Sequence, residues 1–193
     1  MRLREASPYT THLITTNGAV YDHAMRSGIG TAILLAVATS LAETGRAPAH
    51  AAVLQPVTPA CIVAAGMRMG VPPLALVGIM TVEGGQLGRS TPDVNGTRDF
   101  GPMQINSVNL PRLWARLGLS RRMIEDNGCA NVWAGAWILR KAWLADGPGT
   151  SVWLAIAHYH SSDMAFARPY ALKVYRTLAR GISLQAILRH ANE

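Results

Sequence analysis

The run Leu74-Ala75-Leu76-Val77-Gly78-Ile79-Met80-Thr81-Val82 is almost free of polar side chains, and it stops at Glu83-Gly84-Gly85. A run this apolar predicts a buried helix, and the glycine pair predicts the turn that ends it. Glu83 then stands in the last turn, among apolar residues and next to a break. Withdrawal from water disfavours the charged form, so the carboxyl can stay protonated near neutral pH and serve as a general acid. A single glutamate at a helix end ordinarily means nothing more than that. The residues beyond Gly85 give it a different weight.

From Gln86 to Arg98 the chain is dense in Gly, Pro, Asp, Asn, Ser and Thr, too many turn formers for a helix. This predicts a loop or small hairpin lining a cleft. Next comes Asp99-Phe100-Gly101-Pro102-Met103-Gln104-Ile105-Asn106, where Gly101 permits a close backbone approach and Gln104 and Asn106 offer amides suited to sugar hydroxyls. Later the chain carries His158-Tyr159-His160-Ser161.

In this order, Glu83-Gly84, Gly101-Pro102-Met103-Gln104 and, less closely, His158-Tyr159-His160 resemble motifs of the lysozyme-like superfamily. The likeness is to the catalytic domain of soluble lytic transglycosylases, in the small form that accompanies type IV and type III secretion systems. Those domains carry a Glu usually followed by Ser, then G-[LI]-M-Q, then A-Y-N. The resemblance runs from Cys61 to Gly181. It implies a mainly α, lysozyme-like α+β fold with a small loop or hairpin lining the glycan cleft. It also implies Glu83 and Tyr159 as catalytic residues, the Tyr159 hydroxyl lying near Glu83, and glycan contacts from Asp99, Gly101, Met103, Gln104, Asn106 and His160. His160 stands where the family commonly has Asn, and an imidazole can donate or accept much as an amide does.

The implied substrate is the glycan strand of peptidoglycan, cut at the β-1,4 bond between N-acetylmuramic acid and N-acetylglucosamine, with secretion or conjugation components as partners. Asp99 leaves the chemistry open. The segment Asp99 to Ser107 also resembles the D-Y-G-I-L-Q-I-N-S of animal-type lysozymes, whose second carboxylate is that Asp. The transglycosylase scheme needs Glu83 alone and closes a 1,6-anhydro ring; a lysozyme-type hydrolase would use both carboxylates. Gly84 and His160 depart from the family pattern, which keeps a third reading: a peptidoglycan-binding assembly factor without turnover.

The rest of the chain fits around this domain. Residues 1–24 are polar and lack periodicity, and are expected to be a non-native extension. Residues 25–51 read as a secretory signal peptide: Met25-Arg26-Ser27, an apolar run from Ile29 to Leu41 too short to span a bilayer, and small residues from Ala47 to Ala52. That places the mature protein in the periplasm. Residues 52–59 read as a linker, with Thr58-Pro59 opening the first helix of a domain over 60–193. A helix stops at Gly70, short helices are expected over Leu110–Leu117 and after Ser120, and longer ones from Cys129 to Leu144, Val152 to Tyr159 and Ala165 to Leu178. Ser183 to Arg189 reads as a terminal turn or two. Trp133 and Trp137 stand at helical spacing, where aromatics more often fill a core than stack on sugars.

The chain has two cysteines, Cys61 and Cys129, and two thiols in an oxidising compartment usually pair. The secretion-associated transglycosylases have a Cys at the start of the first helix and another opening a C-x-N helix, matching Cys129-Ala130-Asn131, so the resemblance implies a disulfide. No metal or cofactor is expected with so few ligands. The net charge is +7 and the pI about 10.1, but Arg121-Arg122 and Arg140-Lys141 are the only adjacent cationic pairs. No nucleic-acid partner is expected; a cationic surface suits an anionic wall polymer.

Overall fold

The computed structural model describes residues 53–193; the expected extension and signal peptide lie outside them. Among the described residues the order is α1 (Pro59–Met69), α2 (Pro73–Glu83), β1 (Ser90–Pro92), β2 (Arg98–Phe100), β3 (Ile105–Asn106), a 3-10 turn (Ser107–Asn109), α3 (Leu110–Leu117), α4 (Arg121–Asp126), α5 (Gly128–Ala145), α6 (Val152–His160), α7 (Met164–Ala179) and α8 (Leu184–Asn192). The fold is mainly helical, with one small antiparallel sheet in the order β1-β2-β3. Register is set by Ser90 opposite Phe100 and Asp99 opposite Asn106.

The apolar run becomes α2 because nothing in it interrupts helical bonding and all of its middle is buried, from Ala75 through Met80. That stretch has no solvent face since α1 and α7 both pack on α2. Gly78 lets α7 come close; a Cβ there would stand 2.9 Å from Val174 Cγ1. α5 is the other central helix, with Ala130, Val132, Ala134, Ala136 and Leu139 buried against α1, α4 and α6. Trp133 and Trp137 pack, partly buried, against this core.

Cys61 on α1 and Cys129 on α5 form a disulfide across a sequence separation of 68. In the chain-entropy description a loop of that length stabilises the fold by about 4 kcal/mol. The segment expected as a linker is docked at its end. Gln55 bridges to Asn127, and Val57, 2 % exposed, exchanges hydrogen bonds with the Asn192 side chain at 2.7 and 3.1 Å. α8 runs as far as Asn192, longer than the turn or two expected, because Ser183 caps it and Ala191 is buried beneath it.

Candidate active site

Glu83 is the last residue of α2, and Gly84 behind it takes the left-handed conformation that closes the helix (φ 62°). Its Oε1 accepts a hydrogen bond of 2.6 Å from the hydroxyl of Tyr170 on α7. Burial pushes the Glu83 carboxyl up to about 7. The Tyr170 hydrogen bond opposes that rise, the Asp99 charge adds to it, and Lys173 works against it. Burial, followed by the negative charge of Glu83, also drives the Tyr170 phenol far above its ordinary range, so it remains a donor. The His160 ring lies parallel on Tyr170, centroids 4.5 Å apart.

Facing Glu83 is a cleft of about 190 Å³. The sheet contributes Asp99 and Asn106, register partners across β2 and β3 that share a face. Asp93, in the turn after β1, and Asn109 line it as well, and Gln104, Tyr159 and His160 close it. Burial raises Asp99 from its ordinary value, the Asn106 amide beside it opposes the rise, and His160 opposes it too.

The loop from Gly101 to Gln104 is bent as Gly101 (φ 65°) and Gln104 (φ 45°) allow; Gln104 is the only non-glycine residue with positive φ among those described. Its amide nitrogens, backbone and side chain, both donate to the Gly101 carbonyl at 3.0 Å. Such a conformation persists only where its surroundings hold it. Asn131 does the holding. Fully buried on α5, it accepts from the Met103 N–H at 2.8 Å and donates to the Phe100 and Ile124 carbonyls at 2.8 and 2.9 Å. A Cβ on Gly101 would run into that side chain.

Of the expected site residues, two are placed away from the cleft surface and a third bonds to the loop. Tyr159, expected with its hydroxyl near Glu83, lines the same cleft as Glu83; its hydroxyl donates to the Met103 carbonyl at 2.9 Å, and the phenol bonded to Glu83 is that of Tyr170. Met103 is 0 % exposed, its sulfur pressed against Gly135 of α5, so its side chain cannot meet a glycan. Gly101 is buried and its carbonyl is occupied by Gln104; it shapes the loop and does not line the cleft. Glu83, Asp99, Gln104, Asn106, Tyr159 and His160 do come together there.

Residues 60–173 match the sequence model of the transglycosylase SLT domain. The chain belongs to that family. A search of curated proteins finds no match to it. Membership in the SLT family makes the protein a glycosidic-bond-cleaving transglycosylase with peptidoglycan as its substrate, and so implies an extracytoplasmic place of action. The matched span takes in Glu83, the cleft loop, His160 and Tyr170, and ends inside α7. Sequence reasoning missed Tyr170, and it named Asn131 in the C-x-N motif without giving it a role. Asn131 had a signal, a polar residue at a core position of an apolar helix; Tyr170 had none locally, being 87 residues from its partner.

Proposed function

We propose that this SLT-family protein is a lytic transglycosylase that cuts the β-1,4 bond between N-acetylmuramic acid and N-acetylglucosamine, with Glu83 as general acid and then base. The observation that carries this reading is the Glu83 carboxyl, pushed up to about 7 at the edge of an open cleft. Protonated, Glu83 gives its proton to the glycosidic oxygen as the bond from that oxygen to C1 breaks. As a carboxylate it then takes the proton of the muramic acid 6-hydroxyl, whose oxygen bonds to C1 and closes a 1,6-anhydro ring. No water enters the balance. Tyr170 keeps the carboxyl aimed in both protonation states, because its hydroxyl can donate to either form. Gln104, Asn106 and His160 supply polar contacts to the sugars, and Asp99 adds negative charge opposite a C1 that becomes electron-poor.

Asp99 in the same cleft favours one competing reading, hydrolysis by a pair of carboxylates. Mass spectrometry of the digest separates the two, since anhydro ends weigh one water less than reducing ends. Anhydro products are expected, with Glu83→Gln inactive and Asp99→Asn retaining most turnover. A digest of reducing ends alone would replace this mechanism by hydrolysis.

The wider role rests on the sequence resemblance: local opening of the wall for a secretion or conjugation apparatus, by a periplasmic protein whose residues 25–51 are removed on export. Mass spectrometry of exported protein tests this, the expected N-terminus lying near Ala52.

A further inference from the structure

The family match ends at residue 173, so α8 lies wholly outside it, yet α8 packs on the helix that carries Glu83. His190 Nε2 stands 3.1 Å from the carbonyl oxygen of Gly84. The Leu87 amide donates to the Ala191 carbonyl at 2.8 Å. These two contacts fall on either side of Gly85.

Gly84 and Gly85 form the most permissive backbone a chain can have, and they directly succeed the proposed acid. The Gly84 N–H is used by α2, on the Met80 carbonyl at 3.1 Å. Its carbonyl is among the groups that a helix terminus leaves without an intrahelical partner, and His190 supplies one. On the other flank Gly85 lies so close to the Gly101 carbonyl and the Gln104 amide that a Cβ would collide with both. This peptide is therefore clasped between α8 and the cleft loop. A carbonyl can only accept, so in this contact Nε2 of His190 is the donor.

We propose that His190 is a positioning residue: by donating to the Gly84 carbonyl it fixes the glycine peptide behind Glu83 and so the direction of the Glu83 carboxyl, making α8 a strap on the active site. This rests on the reading of Glu83 as the acid. The hollow that His190 lines with Met80, Gly85 and Ile187 shares no residue with the cleft, so the proposed action is through the glycine peptide. Its effect is on the barrier of the chemical step, where small displacements of a reacting group are costly.

The test is turnover of purified peptidoglycan fragments by the full chain and by His190→Leu, His190→Gln and Glu83→Gln. His190→Leu is expected to lower kcat about three- to tenfold, the size of one lost oriented hydrogen bond, with KM and Tm unchanged. His190→Gln, which can present an amide N–H at a similar reach, should restore kcat. A wild-type kcat in His190→Leu, or a loss that Gln does not rescue and that tracks a fall in Tm, overturns the positioning role. Turnover surviving in Glu83→Gln would instead overturn the assignment of the acid.

Discussion

At the scale of single residues the site is a contest over one proton. Burial holds Glu83 protonated, whereas Tyr170 and Lys173 favour the carboxylate, and the balance falls at about 7. If the protonated form starts the reaction, kcat/KM should decline as pH rises through about 7, which a pH–rate profile on soluble fragments will read. Tyr170→Phe removes a group that stabilises the carboxylate, so the alkaline limb should move to higher pH while the rate falls about tenfold, as for a lost oriented donor. The same shift is a stability statement. The folded value lies above the ordinary 4.5, so the folded chain holds a proton that the unfolded chain releases, and stability is lost as pH rises between about 4.5 and 7. Glu83→Gln should accordingly be more stable than wild type at pH 8, by on the order of 3 kcal/mol, with the gap closing toward pH 4. Urea unfolding at the two pH values checks both the sign and the window.

At the scale of elements the cleft loop depends on α5. Asn131 satisfies one N–H and two carbonyls from its buried place on that helix, and Tyr159 on α6 takes the Met103 carbonyl. Asn131→Leu removes the side-chain partner of three backbone groups, and should cost on the order of 3 kcal/mol in urea unfolding. Breaking the α1 to α5 disulfide with Cys61→Ser and Cys129→Ser should cost about 4 kcal/mol in the same assay. The elements themselves were legible, since α2, α5, α6 and α7 are written in apolar spacing, and Ser, Asn or Asp caps mark α5, α6 and α7. Less legible was what the loop does with its side chains. Turn-rich sequence reads as exposed, and nothing local says that Met103 turns inward to meet Gly135 while Gln104 faces the cleft. That choice is made by α5, far away in sequence. The pairing of Tyr170 with Glu83 was hidden for the same reason: on α7 alone Tyr170 is one more apolar-face residue.

At the scale of the molecule the cleft gathers three carboxylates, Glu83, Asp93 and Asp99, in a protein of net charge +7. The excess of cations therefore lies outside the cleft. Attraction to an anionic wall is long-ranged and screened by salt, so retention on isolated sacculi should weaken with ionic strength while turnover of short neutral fragments stays nearly constant. The two ends of the domain have a bearing on this as well. Val57 and Asn192 hold each other across a separation of 135 residues, so whatever pulls at one end of the domain pulls beside the other. Load applied between the ends would not shear the core, where α1 and α5 are joined covalently; it would peel α8 from its edge, one bond after another. The contacts in the path of that load are those of Gln55 with Asp126 and Gly128 at one end, those of Val57 with Asn192, and those of α8 on Leu87 and Gly84. If His190 positions Glu83 as proposed, tension that frees α8 while the disulfide-joined core stays folded would act on turnover as a brake.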